Sequence, residues 1–316
     1  MSFVNRRHVL GLLGSTALAG CAAPAVVTRQ GDPFEGGIGG TGIVGLLTDF
    51  GSLVVNGLRV ELNRRTTIRT PYGKVSESAI RQGMPLTILA SKSRDRLVAR
   101  DVAISLPLVG ELRRGAGGLT VNGAPVRAEP GSLGTAAVGA RVSVSGVWST
   151  NGLVASRFDP AGDAEDLLAG VVGRTGPTGL SVAGVPVRLA NASGLPVAGS
   201  YLNAFGSYDG TSFVAERTVG GRFGAISIPL RQLSVEGFLE PVASDPGFRV
   251  AGLGHSFARD LELEALAARR AVYFGPYDGS FRAAKGYVVP EAFEARRQLL
   301  GAGFGDGFQG PVFPTR

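Results

Sequence analysis

The chain has 316 residues, of which 44% are hydrophobic, 18% are charged and 49 are glycine. This apolar content excludes a mainly disordered protein, and the glycines, at more than twice the usual share of about 7%, lack the three-residue period of collagen. One cysteine and two histidines exclude a disulfide-rich scaffold and a Cys- or His-rich metal centre, so we expect no metal and no other cofactor.

The N-terminus has the layout of an export signal. A short basic region with Arg6 and Arg7 precedes the apolar run 9–19, which is too short to span a bilayer that takes about 20 helical residues. The arginine pair also resembles a twin-arginine signal, so both the Sec route and the twin-arginine route remain open. The alternative, a buried N-terminal helix, does not explain why small residues and a cysteine end the run.

The segment Leu18-Ala19-Gly20-Cys21 resembles the lipobox of bacterial lipoproteins. The resemblance implies cleavage after Gly20, a diacylglycerol on the sulfur of Cys21 and acylation of the new amine; several acyl chains anchor far more firmly than one. Ala22 replaces the aspartate that would retain the protein at the inner membrane. We therefore expect a signal peptide at 1–20 and a lipoprotein on the periplasmic side of the outer membrane. Removal of residues 1–20 would leave a formal charge of +5.

Residues 21–43 are rich in Ala, Gly and Pro and predict a flexible, lipidated tether. Gly37, Gly39 and Gly42 have the spacing G-x-G-x-x-G of a dinucleotide site. That site needs a strand before the motif and a helix after it, and the sequence provides neither. The glycines therefore favour a tether over a nucleotide site.

Four related units follow the tether. Each opens with two alternating apolar segments joined by a tight turn, in which Asn-Gly, or Ala-Gly in the later units, supplies positive φ angles. The turn glycines are Gly57, Gly123, Gly184 and Gly252. A second strand pair closes each unit. The predicted units are 44–106, 107–160, 169–220 and 233–289, the fourth being divergent. Linkers are predicted at 159–166 and 220–231.

A short helical segment is expected between the two strand pairs, at 76–82 with Ser76 as its N-cap and at 133–138 in the second unit. Three strands, a helical turn and two strands in about 60 residues is the order of an OB-like barrel. A plain antiparallel meander is the alternative for each unit. The sequence thus predicts an all-β chain of tandem small OB-like β-barrel repeats. A short C-terminal helix at 290–300, stopped by Gly301, and an irregular tail make up 290–316.

The glycine-rich segment 36–43, with 50–52 and 55–57 after it, resembles the exported bacterial domain of unknown function family 5666. The resemblance covers most of residues 36–220 and implies tandem β units after a signal peptide. That family has no assigned activity, so the resemblance implies no functional residue.

The remaining side chains give an enzyme little support. Nucleophilic catalysis would depend on His255 or on the lipidated Cys21, and no set of base, nucleophile and orienting residue is visible. Glycoside hydrolysis needs two carboxylates. The candidates are Asp163, Glu165 and Asp166 in a linker, and Glu262 and Glu264 on one strand face.

A nucleic-acid partner is not expected either, because rings such as Phe205 and Phe213 stand at core-like positions rather than on a stacking surface. The positive charge would instead attract an anionic envelope polymer; the alternative is that it only keeps the protein soluble. We expect a lipid-anchored, non-catalytic binding or scaffolding module whose partner is an envelope protein or an anionic polymer. The alternative is a periplasmic enzyme that acts on glycan or another envelope polymer through carboxylates.

Overall fold

The computed structural model describes residues 26–28, 40–93, 96–115, 117–134, 136–175, 179–190, 196–221, 230–241, 248–252, 256–257, 269–277 and 281–302. In these ranges strands dominate, so the predicted all-β class is confirmed. Strand β1 (Val26–Thr28) comes first. Unit 1 follows with β2 (Gly40–Asp49), β3 (Leu53–Val55), β4 (Leu58–Glu61), β5 (Thr67–Thr70), β6 (Gly73–Lys74), a 3-10 helix (Glu77–Ala79), β7 (Pro85–Ser93) and β8 (Arg96–Ile104).

In the described residues, the other three units contain five strands each. Unit 2 has β9 (Leu108–Gly115), β10 (Gly118–Val121), β11 (Ala124–Leu133), β12 (Arg141–Ser149) and β13 (Gly152–Pro160). Unit 3 has β14 (Asp166–Thr175), β15 (Gly179–Val182), β16 (Val185–Leu189), β17 (Tyr201–Tyr208) and β18 (Phe213–Gly220). Unit 4 has β19 (Leu230–Pro241), β20 (Phe248–Val250), β21 (Ser256–Phe257), β22 (Arg270–Pro276) and β23 (Lys285–Val288), and α1 (Phe293–Ala302) follows it.

Units 2 and 3 are closed five-stranded barrels with the same connectivity. In unit 2, β9, β10 and β11 pair in antiparallel order, β11 pairs with β13 in parallel, and β12 joins β13 to β9. Unit 3 repeats this pattern, and unit 1 has the corresponding pairings. A meander has no parallel pair between its third and fifth strands. The prediction of tandem OB-like barrels is therefore confirmed.

A bulge bends the fifth strand of each closed barrel, where Ser156 of β13 and Glu216 of β18 are the extra residues opposite the fourth strand. The register of β12 shifts at Gly146 and that of β17 shifts at Gly206. A Cβ atom at either glycine would overlap a carbonyl oxygen of the neighbouring fifth strand. Strands must bend sharply to close so small a barrel, and bulges allow this bend.

The four units are packed into one body. Strand β19 of unit 4 pairs in parallel with β2 of unit 1, and β14 of unit 3 pairs with β9 of unit 2. One hydrophobic cluster contains Leu46 of unit 1, Phe238 of unit 4 and Phe293 of α1 together with the cores of units 2 and 3. The buried indole of Trp148 in unit 2 donates a hydrogen bond to the carbonyl of Ala169 in unit 3 (3.0 Å). These contacts hold the units in fixed positions relative to one another, so a surface can include residues of two units.

The prediction of a flexible tether at 21–43 is wrong for two segments, 26–28 and 40–43. Residues 26–28 form β1, which pairs with β23, and the first barrel strand already begins at Gly40. The glycines of β2 serve close packing rather than flexibility, because a Cβ at Gly42 would lie 2.8 Å from Cδ1 of Leu233 on β19. The remaining tether residues lie outside the described ranges. The linker at 159–166 is shorter than predicted, since β13 extends to Pro160 and β14 begins at Asp166.

The helical predictions need three corrections. The segment at 76–82 contains only the 3-10 helix, and the Ser76 side chain makes no capping bond. The described residues of 133–138 are not helical: Leu133 ends β11, and the N–H of Gly139 donates to the carbonyl of Leu112 (2.7 Å). Helix α1 begins at Phe293 rather than Pro290 and continues through Gly301. The carbonyl of Pro290 instead accepts a hydrogen bond from Nη1 of Arg296 (2.9 Å).

Candidate functional site

A cleft of about 290 Å³ lies between unit 1 and unit 3. Unit 1 contributes the ends of β5 and β8, and unit 3 contributes β17 and the end of β18. Both polar and apolar side chains line its walls, among them Arg69, Thr70, Ser105, Tyr201, Asn203 and Val219. The volume is at the lower end of the roughly 300–1,000 Å³ found for ligand sites. It suits a short stretch of a larger molecule.

Tyr72 connects the two walls beside the cleft. Its hydroxyl donates a hydrogen bond to the carbonyl of Glu165 (2.5 Å), and its ring meets that of Phe205 edge to face, with centroids 5.6 Å apart. The guanidinium of Arg217 lies 3.6 Å from the centroid of Phe205 and pairs with the Glu165 carboxylate at 3.1 Å. Burial, and after it the charge of Glu165, raises the pKa of Tyr72 well above its ordinary value. The hydroxyl therefore stays protonated as a donor, which keeps the walls in place.

The side chains of the cleft lining offer hydrogen-bonding groups from both walls. Arg69 pairs with Asp101 (Nη1 to Oδ1, 3.3 Å), and the Asn203 amide donates to the carbonyl of Val219 (3.3 Å). None of the described residues that line the cleft is an aspartate or a glutamate. The lining offers neutral polar groups, a tyrosine ring and one cation.

A second constellation, which we call the charge cluster, consists of Glu129, Glu236, Arg270 and Arg296. All four side chains are 0% exposed. Arg270 pairs with Glu129 at 2.7 Å and with Glu236 at 2.8 Å. Arg296 pairs with the same carboxylates at 3.0 Å and 3.2 Å. The cluster joins unit 2, unit 4 and α1, and its formal charge is zero.

The charge cluster is a structural joint. Glu236 also accepts a hydrogen bond from the backbone N–H of Leu46 in unit 1 (2.8 Å). Burial acts to raise the pKa of Glu236, but both arginines and this N–H bring it below its ordinary value. For Glu129 burial dominates and raises the pKa. The cavity beside Glu236 measures only about 20 Å³, enough for one water molecule and no organic ligand.

The turn glycines lie where the second strand of each unit meets the third. Gly57, Gly123, Gly184 and Gly252 have φ angles of 69° to 82°. The residue before each of the first three also has a positive φ, at Asn56, Asn122 and Ala183. A two-residue turn with both angles positive matches the twist of the strands it joins.

The turn asparagines also join neighbouring units. Nδ2 of Asn56 donates to the carbonyl of Val44 (3.0 Å) and to Oγ of Ser234 in unit 4 (2.9 Å). Nδ2 of Asn122 donates to the carbonyl of Val109 (2.8 Å) and, 3.1 Å away, to that of Leu167 in unit 3. These two side chains were expected only to set the turn angles. They tie the first strands of adjacent barrels together.

Several predicted site residues lie outside the described ranges. They are Arg6, Arg7, Gly20, Cys21, His255, Glu262 and Glu264. Of the acidic candidates that the structure describes, Glu165 pairs with Arg217, and Asp166 pairs with Arg141 at 2.8 Å. Asp163 lies in the connection between β13 and β14. Phe205 and Phe213 are fully buried, as predicted for core positions.

The charge cluster and the cleft were not predicted from the sequence. A signal for the cluster exists: Glu236 interrupts the apolar segment 233–239, and Arg270 directly precedes the apolar run 271–274. A charge inside an apolar strand is rarely buried unless it is paired. The cleft has no comparable signal, because its walls come from strands of two different units.

No family model, curated protein or solved structure matches the chain. Within the ranges that the structure describes, no three or more His, Cys, Asp or Glu residues are grouped so that they could hold a metal ion. The same ranges contain no helix with the length and apolar character needed to cross a membrane.

Proposed function

We propose that the chain is an exported, lipid-anchored protein of the bacterial cell envelope that acts as a non-catalytic binding module. Its binding site is the cleft between unit 1 and unit 3, and its ligand is a segment of an envelope polymer. The observation that carries this proposal is the cleft whose described lining combines polar and apolar side chains with one cation, Arg69, and whose two walls are joined through Tyr72. A prearranged cleft loses little entropy when it binds a ligand.

The arrangement of carboxylates supports binding over hydrolysis. Glu129 and Glu236 share the two arginines of the charge cluster and are 0% exposed. A hydrolytic pair must flank the scissile bond, with a separation of about 5–10 Å between its carboxyl groups. The two glutamates cannot reach a substrate from their site, and the described cleft lining has no such pair.

The lipid anchor is tested by a Cys21→Ala variant. The lipobox-like segment 18–21 and the resemblance to exported tandem β proteins support the anchor. We expect the variant to move from the membrane pellet to the soluble periplasmic fraction, because the remaining chain would carry no acyl group. Cell fractionation with immunodetection measures this. Equal sedimentation of the variant and the unmodified chain with membranes would contradict the anchor.

The cleft is tested by an Asn203→Trp variant, which fills the space beside Val219 and Ser105 with an indole ring. The control is Asn151→Trp, because Asn151 lies on an exposed turn of unit 2. The purified chains are sedimented with isolated cell-wall sacculi and, separately, with purified lipopolysaccharide. We expect one of these polymers to bind, with at least about tenfold weaker binding for Asn203→Trp and little change for the control.

Two results would overturn the proposed function. One is equal binding by Asn203→Trp and Asn151→Trp, or no binding to either polymer by the unmodified chain. The other is the release of soluble fragments from the polymer during incubation, which would show catalysis. Thermal unfolding of both tryptophan variants separates a filled cleft from a misfolded chain.

A further inference from the structure

The positive charge of the chain is concentrated in unit 1. Residues 40–106 contain ten of the 32 basic residues and five of the 25 acidic ones. The rest of the chain is almost balanced, with 22 basic and 20 acidic residues, and Arg6 and Arg7 account for that difference. An excess confined to one barrel produces a directed field rather than a uniform solubilising charge.

The strand register places these cations on one outer surface. Glu61 on β4 is the partner of Val98 on β8, so Arg59 and Arg96, each two residues earlier, share that face. On the same sheet, Arg69 of β5 is the partner of Lys74 on β6. Arg100 lies at the bulge of β8 and donates to Oγ of Ser91 (3.3 Å). We call this surface the basic face; it consists of Arg59, Arg69, Lys74, Arg96 and Arg100.

The basic face carries more cations than its own acidic residues can neutralise. Glu61 pairs with Arg96 at 2.9 Å, and Asp101 pairs with Arg69 at 3.3 Å. Arg59 and Lys74 are exposed and make no ion pair with any residue that the structure describes. Arg64 and Arg65, on the exposed turn between β4 and β5, add two more cations at its edge. Three or more charges are thus available to a ligand.

Spacing and shape indicate an extended ligand. Neighbouring strands lie about 4.8 Å apart, and alternate residues on one strand lie about 6.6 Å apart, so the cations form an array rather than a pocket for a single ion. Arg69 belongs to the array and also lines the cleft. The basic face and the cleft are therefore continuous, and a linear chain can follow both.

We propose that the basic face binds a linear polyanion, a polymer with repeated phosphate or carboxylate groups, whose chain continues into the cleft. This inference rests on the proposed function and narrows its ligand to an anionic polymer. Charge complementarity carries it, because guanidinium groups bind phosphate and carboxylate oxygens in bidentate geometry. The surface of an anionic membrane is the competing partner. A flat bilayer surface would contact the outside of the barrel but would not enter the cleft that Arg69 lines.

The test uses the purified chain and fluorescently labelled inorganic polyphosphate, with polygalacturonate as the carboxylated polymer and dextran as the neutral one. The triple variant Arg59→Gln/Lys74→Gln/Arg100→Gln removes three cations without breaking an ion pair of the described residues. Its matched control is Arg114→Gln/Arg174→Gln/Arg231→Gln, which removes three exposed arginines outside the basic face. Both variants change the net charge equally, so a difference between them reports on position.

We expect the face variant to bind polyphosphate at least about tenfold more weakly at roughly 0.1 M salt, and the control less than about threefold more weakly. The slope of log affinity against log salt should fall by about 2 to 3 in the face variant, since each lost phosphate contact lowers it by about 1. Polygalacturonate should compete, and dextran should not. Coinciding thermal unfolding of the three proteins shows that folding is unchanged.

Equal losses in the two triple variants would overturn the proposal, because total charge alone would then explain binding. Competition by dextran would overturn it as well. So would tighter binding to phosphatidylglycerol vesicles than to polyphosphate, which would identify a membrane surface instead. The sedimentation assay of Asn203→Trp uses none of these variants, and the polyphosphate assay uses no envelope material. Failure of the basic face and failure of the cleft are therefore separate results.

Discussion

An Arg270→Met variant should unfold with a free energy lower by about 3–5 kcal/mol, because it leaves two buried carboxylates with a single cation. Arg270 lies closer than Arg296 to both Glu129 and Glu236. Methionine replaces the volume of the arginine side chain but not its charge. Since the two glutamates belong to different units, the loss acts on their interface. Urea unfolding at neutral pH, with the midpoint and slope compared with those of the unmodified chain, measures the effect.

The control for this prediction is Arg297→Met, at the partly exposed position of α1 that follows Arg296. Arg297 pairs with Glu294 at 2.5 Å, and both side chains are partly exposed, so its loss should cost less than about 1 kcal/mol. A double variant, Glu129→Gln/Arg270→Met, removes one charge of each sign and leaves Arg296 with Glu236. We expect its loss to be smaller than the sum of the two single losses. A loss below about 1 kcal/mol for Arg270→Met alone would contradict the role of the charge cluster.

The repeat could be predicted from the sequence because its signals are local. Gly57 and Gly123 follow asparagines in tight turns, and the backbone needs positive φ angles at those positions. The alternating apolar segments around them then fix the strands, and the strand order within about 60 residues gives the OB-like barrel. None of these steps depends on a contact between distant parts of the chain.

The charge cluster and the cleft could not be predicted because they depend on how the barrels pack. Glu129 is separated from Arg270 by 141 residues and from Arg296 by 167. The cleft brings Arg69 together with Asn203, which belong to different barrels. The prediction of a flexible tether at the glycine-rich start of β2 was wrong for a related reason. Its glycines make room for Leu233 of another unit, and a composition of this kind has the same appearance in a flexible tether.

A Gly45→Ala variant should lose at least about 2–3 kcal/mol of stability, which exceeds the usual effect of one added methyl group. A Cβ atom at this position would overlap Oδ1 of Asn56. Asn56 cannot move away freely, because its amide donates both to the Val44 carbonyl and to Ser234 of unit 4. The clash therefore disturbs the turn of unit 1 and its joint with unit 4 together. Thermal and urea unfolding measure the loss, and Gly117→Ala, where a Cβ has no neighbour within 4 Å, is the control.

The double variant Gly45→Ala/Asn56→Ala separates the two parts of this effect. Unit 3 already has Ala183 at the turn position, with φ of 50°, so alanine is compatible with the turn. A Cβ at Gly170 would still lie 2.7 Å from Cβ of Ala183, which shows that truncating the asparagine relieves the overlap only in part. The double variant should therefore be more stable than Gly45→Ala and less stable than the unmodified chain. If it were no more stable than Gly45→Ala, the loss would come from β2 itself, and the turn asparagine would not be the joint between units 1 and 4.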